Sequence, residues 1–406
     1  MASWPDLPVL RLKRHEERRL RRGHLWVFSN EVDTARTPLT AFRPGEPVRI
    51  VDWRGKPLGT GYVNPHSLIC ARLLSRDPRR LPDRALLRER LARALALRER
   101  LFPSPHYRLA YGEGDGLPGL VVDRYGEVLA VQLTTAGMER LREEVLAVLE
   151  ELLRPRCVVL RGDTPLRGLE GLPREVTVAL GEAPEEVEVL EEGARFRAAL
   201  LGGQKTGWYY DHRLNRLRAM AYARGGRVLD LFAYVGGWGI QAARAGAREV
   251  LCVDGSAAAL ERARANAEAN GVGERVRTRE GDAFETLQAL RQAGERFDLV
   301  ILDPPAFIKR RRDQAQGEAA YHRLHRLALE VLAEGGVLVA ASCSFHYSEE
   351  ALRGSVLKAS RRLGRGLQLL ERGHQGPDHP VHPAIPETAY LKALFCRAWA
   401  EPGEVL

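Results

Sequence analysis

No run of this 406-residue chain reaches the ~18 consecutive apolar residues that a membrane span needs. None of its five cysteines forms a CxxC pair, which argues against a disulfide framework and against a zinc site; no metal is expected. The N-terminus "MASWPDLPVLRLKRHEE" lacks the apolar core of a signal peptide, and no internal repeat or low-complexity tract is seen. These absences lead to the expectation of a soluble, cytoplasmic protein. At this length one ordinary core is too little, so two or three domains are expected. The hydrophobic share of 45% and charged share of 28% are globular values.

Among the cysteines, Cys70, Cys157, Cys252 and Cys396 sit inside apolar extended runs, where a free thiol acts as a small buried hydrophobe. Cys343 differs. It follows its apolar run, in "GGVLVAASCSFHYS". The formal charge of +9 suits a polyanionic partner such as nucleic acid, and equally suits a merely basic soluble protein.

Along the chain, "PGEPVRIVDWRGKPLGTGYVNPHSLICARLLS" alternates short apolar runs with turn residues and predicts a small β-rich module. Ahead of it, Arg11, Lys13, Arg14, Arg18, Arg19, Arg21 and Arg22 cluster before Trp26 and Phe28. A basic helix entering an aromatic strand fits an RNA backbone; it fits as well a solvated helix whose Glu16 and Glu17 pair with nearby arginines. Residues 79–103 have helical spacing. Residues 107–163 then read as strands and turns around one amphipathic helix, "MERLREEVLAVLEELL", with no chemistry beyond a scaffold. After the acidic stretch that begins at "GEAPEEVEV", strands and helices alternate, the signature of a parallel α/β domain.

In that α/β half the strand "RVLDLF" runs into "AYVGGWG", a glycine loop that lets a ligand approach the backbone. Asp230, Asp254 and Asp282 fall at the ends of the first three strands. Three carboxylates over one sheet edge suit an amino group, a ribose diol and an adenine amine better than a diphosphate, which favours S-adenosylmethionine over a dinucleotide. The fourth strand closes with Asp303-Pro304-Pro305-Ala306-Phe307, a rigid turn able to aim Asp303 and Phe307 at a flat base. Cys343 ends the fifth strand and should emerge at the same edge. A thiolate there could add to carbon 6 of a pyrimidine and make carbon 5 nucleophilic, while Asp303 protonates or hydrogen-bonds ring N3.

Taken together, "QKTGWYYDHR", "VLDLFAYVGGWG", "DPPAF" and "SCS", with "GHLWVFSNEV", "GEGDGLPGLVVDRYG", "PDHPV" and "AYLKALFCR", resemble the bacterial 23S rRNA cytosine-5 methyltransferases of the ribosomal large subunit methyltransferase I type. The resemblance spans nearly the whole chain. It implies an α/β fold: a PUA-type RNA-binding domain over 1–77, a small central α+β domain over 78–190, and a C-terminal Rossmann-like class I methyltransferase domain over 191–406. It implies S-adenosylmethionine as cofactor and 23S rRNA or a large-subunit assembly intermediate as partner. A membrane is not among the partners; a homodimer stays open. On this resemblance Cys343 is the nucleophile and Asp303 the base-contacting acid. Asp230, Gly236, Asp254 and Asp282 would touch the cofactor, with Phe232, Tyr234, Gly237, Ser256 and Ala283 beside them and Asp303 adjoining. Substrate contacts would come from Phe307, from Lys205, Thr206, Asp211 and Arg213 in a motif that also holds Gln204, and from Arg18, Arg22 and Trp26.

The chain departs from the family pattern at Tyr210 and His212, where leucine and glutamine are usual, and at Ala306, where lysine is common. Ala306 also stands where other cytosine-5 enzymes carry a second cysteine for product release, so another base must serve. Two alternatives remain at this stage: methylation of uracil C5 or of a base amine on RNA, and a catalytically inactive RNA-binding assembly factor.

Overall fold

The computed structural model describes residues 6–203 and 206–401, so Gln204 and Lys205 lie outside the described residues. The described chain forms two compact units. One comprises residues 6–187, 199–203, 206–210 and 377–388, and the other residues 188–198, 211–376 and 389–401.

The second unit is built on a seven-stranded sheet. Its strands are β1 (Arg227–Leu231), β2 (Glu249–Asp254), β3 (Val276–Glu280), β4 (Phe297–Leu302), β5 (Leu332–Ser342), β6 (Arg365–His374) and β7 (Lys392–Ala400). They lie in the order β3-β2-β1-β4-β5-β7-β6. The first five pair in parallel and β7 runs antiparallel to both β5 and β6. Its helices are α1 (Arg213–Met220), α2 (Gly237–Arg244), α3 (Ala257–Ala269), α4 (Ala283–Gln292), α5 (Gln314–Val331) and α6 (Glu349–Arg362). Near-continuous apolar strands are what a sheet covered on both faces requires. Leu229, Leu231, Val300, Leu302, Leu338 and Ala340 are accordingly buried in one core with Leu287, Tyr321 and Leu324 of the helices. Local chemistry starts the helices: Ser256, Asp282 and Ser348 accept from backbone N–H groups at the first turns of α3, α4 and α6. The strand order reverses between β1 and β4, and in such sheets ligands bind outside the carboxyl ends of the strands at that point.

The other unit carries two five-stranded sheets. The first runs Val9–Arg11, Glu46–Val51, Pro57–Val63, Ala71–Ser75, Trp26–Val27 across the sheet; the second runs Val176–Leu180, Cys157–Arg161, Val128–Leu133, Leu120–Tyr125, His106–Tyr111. The expected helix over 79–103 forms as Arg84–Leu101, capped by Asp83. The expected continuous helix over 138–153 instead breaks at Leu141 into Ala136–Arg140 and Arg142–Leu153. Thr135 caps the earlier piece, starting it sooner than its apolar spacing suggests.

The basic N-terminal segment forms only a short helix, Glu17–Arg21, and among the described residues its arginines pair elsewhere than with Glu16 and Glu17. Arg19 pairs with Glu31 and Arg21 with Asp52, while Glu17 is buried with its Oε2 unpartnered. Among the described residues no helix is long and apolar enough to cross a membrane.

Candidate active site at the carboxyl edge of the parallel sheet

β5 ends at Ser342, so Cys343 is the first residue beyond it, and Asp303 is the first residue beyond the neighbouring parallel strand β4. The serines around Cys343 explain how it is presented. Ser342 and Ser344 are fully buried, and both side chains meet the Tyr321 hydroxyl of α5 at 2.9 Å. Ser344 Oγ also accepts from Ile308 N, and Ser342 Oγ from Ser344 N. Tyr321 is itself clamped by the stacked Tyr347 ring, 4.4 Å away. With the flanking side chains anchored inward, Cys343 is left partly exposed, whereas Cys70, Cys157, Cys252 and Cys396 are buried as their apolar surroundings predicted.

Asp303 is held by two donors. His212 Nε2 lies 3.1 Å from Oδ1 and Trp238 Nε1 3.1 Å from Oδ2. Asn215 Nδ2, a donor, faces His212 Nδ1 at 3.2 Å, so Nε2 is the nitrogen that carries the proton toward Asp303. Burial opposes the charge of Asp303, but the His212 and Trp238 contacts outweigh it and hold the carboxyl below its usual range. The geometry therefore favours Asp303 as an acceptor rather than as a donor of its own proton.

The loop after β1 is strained. Phe232 (φ 62°), Tyr234 (φ 51°) and Gly236 (φ 84°) all adopt left-handed conformations, which cost about 1–2 kcal/mol for a residue with a Cβ. Two carboxylates hold it there. Asp254 Oδ2 accepts from Tyr234 N at 2.9 Å while its Oδ1 accepts from Ser256 N, and Asp230 Oδ2 accepts from Gly239 N at 2.8 Å. Gly239 is required sterically: a Cβ there would stand 2.6 Å from Cys252 Sγ. Asp282 is exposed, with Oδ1 spent on the N–H groups of Phe284 and Glu285; Ala283 is buried behind it.

Asp230 is the outlier. It is fully buried, and among the described residues its Oδ1 has no partner. Burial, with Asp303 and Asp254 nearby, pushes its carboxyl up to about 8 against the pull of Gly239 N–H. An orphaned buried carboxylate oxygen beside a strained backbone loop fits a cationic ammonium, which S-adenosylmethionine carries.

Sequence comparison matches residues 174–397 to the S-adenosylmethionine-dependent methyltransferases and residues 10–76 to a PUA-like domain. Ribosomal RNA large subunit methyltransferase I of Tolumonas auensis is 37% identical over 393 residues, spanning 95% of this chain and 98% of that protein. Its namesake in Salmonella arizonae is 36% identical over 405 residues, spanning 98% and 99%.

The chain belongs to the ribosomal RNA large subunit methyltransferase I family.

Solved structures agree on the fold. One described as a SAM-dependent methyltransferase from Streptococcus mutans superposes with TM-score 0.80 at 21% identity, covering 96% of this chain and all of that one. Another methyltransferase, complexed with SAH, reaches 0.82 at 22% identity with the same coverage. A class I methyltransferase fold with an N-terminal PUA-like domain and S-adenosylmethionine as cofactor thus follow for this member of the family.

Of the other residues expected at the site, Phe307 packs beside Tyr321 and Phe284, with ring centroids 4.7 Å and 6.3 Å away. Asp211 and Arg213 are buried: Asp211 Oδ2 accepts from the Tyr390 hydroxyl at 2.5 Å, and Arg213 Nε lies 3.6 Å from Glu191. It is the residue between them, His212, that reaches Asp303. Thr206, Arg18, Arg22 and Trp26 belong to the other unit. There Thr206 donates to Asp123 and the Trp26 indole to Glu113, while Arg18 and Arg22 are exposed. His212 shows in the sequence only as a departure from the family pattern, and Trp238 is hidden among the loop glycines. Lys392, inside "AYLKALFCR", was also unassigned.

Proposed function

We propose that this protein methylates carbon 5 of a cytidine in 23S rRNA, with Cys343 as nucleophile. The observation that carries the reading is the partly exposed Cys343, set between two anchored serines on the strand next to Asp303. Asp230, Asp254 and Asp282, with the Phe232–Gly237 loop, Ser256 and Ala283, would hold S-adenosylmethionine, which when bound supplies an electrophilic methyl.

The protein's own groups act on the base. The Cys343 thiolate forms an S–C6 bond, and the C5–C6 π electrons move to C5, which becomes nucleophilic. Asp303, kept ionised by His212 and Trp238, accepts from the exocyclic amine of cytosine and, once N3 has taken a proton from water as the thiolate adds, from N3–H, stabilising that proton instead of supplying it. A carboxylate in this role favours cytosine over uracil, whose O4 would face it as a second acceptor. Once C5 carries the methyl group, its proton leaves to water, the C5–H electron pair re-forms the C5–C6 double bond, and Cys343 departs as a thiolate with the S–C6 pair. Arg18 and Arg22, both exposed, serve as RNA backbone contacts.

The test is to incubate rRNA lacking the modification with methyl-labelled S-adenosylmethionine and either wild type or Cys343→Ala, and then to analyse nucleosides. Labelled 5-methylcytidine from wild type alone is expected. A methylated amine, 5-methyluridine, or equal activity in the variant would overturn the reading.

A further inference from the structure

Lys392 is a partly buried cation in the second unit, and among the described residues its ammonium has no carboxylate partner. Its backbone pairs with Ser342, the last residue of β5, and its ammonium donates to the Ser344 carbonyl at 2.7 Å. The side chain therefore spans the turn that presents Cys343, from the residue before it to the residue after it. Within that turn the Tyr321 hydroxyl meets both serine side chains, and Ser344 Oγ accepts from Ile308 N.

We propose that Lys392 is a positioning residue that holds Cys343 in its thiolate form, the ammonium pairing electrostatically with the sulfur once the thiol proton has left to water. The inference rests on the reading of Cys343 as nucleophile and adds the group that activates it. Burial lowers the Lys392 ammonium to about 8, and the charge that works against this loss is the Cys343 thiolate. The interaction is mutual: a thiolate that keeps the lysine protonated is itself favoured by that proton. Among the described residues, three neighbouring titratable groups supply no cation to the sulfur. Tyr321 of α5 is pushed upward by burial and stays neutral, Asp303 at the end of β4 is an anion that opposes a thiolate, and Tyr347 in the following turn is raised to about 12. His346 lies two residues past Ser344, with its ring against Phe345. An uncompensated buried cation is otherwise unfavourable, so a facing anion accounts for its retention.

The experiment reads the thiol directly and needs neither RNA nor cofactor. Because the other four cysteines are buried, iodoacetamide on the folded full-length protein reports Cys343, with Cys343→Ala as blank. The pH midpoint of alkylation is measured for wild type, Lys392→Gln and Lys392→Arg, with a thermal melt of each. Glutamine keeps a donor to the Ser344 carbonyl but no charge; arginine keeps the charge. The expected result is a wild-type midpoint below the ordinary thiol value, raised by about one unit in Lys392→Gln, hence about tenfold slower alkylation at pH 7, and largely restored in Lys392→Arg. An unchanged midpoint in a Lys392→Gln protein that melts like wild type overturns the proposal, as does a shift of equal size in Lys392→Arg. If Lys392→Gln melts early, the comparison is made at a temperature where it is folded. Nucleoside analysis with Cys343→Ala fails or succeeds independently of this midpoint, so the two readings can fall separately.

Discussion

Replacing Asp230 with asparagine should make the protein more stable without cofactor and less able to bind it. The carboxyl is fully buried, and its value of about 8 stands far above the ordinary 3.8. Between those values the folded protein keeps a proton that the unfolded chain has released, so stability falls as pH rises, by about 1.4 kcal/mol per pH unit. From pH 5 to pH 7 this one group removes about 3 kcal/mol, on the order of 5–10 °C in the melting temperature of a unit this size. Asp230→Asn keeps an oxygen for Gly239 N–H and has no proton to release, so its melting temperature should lack that part of the pH dependence. Cofactor binding gives the complementary signal. An ammonium placed against Oδ1 favours the carboxylate, so below pH 8 binding should release up to one proton, and affinity should rise up to tenfold per pH unit toward 8. Calorimetric titration with S-adenosylmethionine in buffers of different ionisation enthalpy measures that proton. Parallel melting profiles of wild type and Asp230→Asn across pH 5–8, together with proton-independent binding, would refute the assignment of Oδ1 to the cofactor's ammonium.

Three further outcomes are expected. Gly239→Ala drives a Cβ into Cys252 Sγ at 2.6 Å and Val250 at 3.0 Å and should destabilise by about 1–3 kcal/mol; Gly239→Ala with Cys252→Ala should recover part of it in a denaturant titration. His212→Ala removes the donor at Asp303 Oδ1, so that carboxyl should rise and the acid limb of the methylation pH profile should move to higher pH, with the alkaline limb unmoved. Tyr321→Phe leaves the buried hydroxyls of Ser342 and Ser344 without their shared partner, at about 1–3 kcal/mol in unfolding measurements, and should slow alkylation and methylation together because Cys343 loses its anchor.

Much of the site was legible because its residues sit where strands end, and strand ends can be read from local pattern. The runs "VLDLF", "VLCVD", "LVILD" and "VLVAAS" are short and apolar, so the sequence alone places Asp230, Asp254, Asp303 and Cys343 at or near one edge. The helix starts after Ser256 and Asp282 are likewise local, set by caps that reach two or three residues on. The Leu141 break and the distant partners of Arg19 and Arg21 were not legible, because they depend on what packs against those segments.

What the sequence by itself determined is therefore the order of elements, the glycine loop, and the identity of most reactive groups at the sheet edge, all of which follow from spacing within a strand or a turn. Only the tertiary structure decided how those groups are charged and held. His212 reaches Asp303 across 91 positions of sequence and Lys392 reaches the Cys343 turn across 48, the latter through antiparallel pairing of β7 on β5. Asp230, which looks like its fellow strand-end carboxylates in sequence, alone becomes fully buried with an unpartnered oxygen. Burial and long-range partners set the protonation of a group, and neither is encoded in the residues next to it.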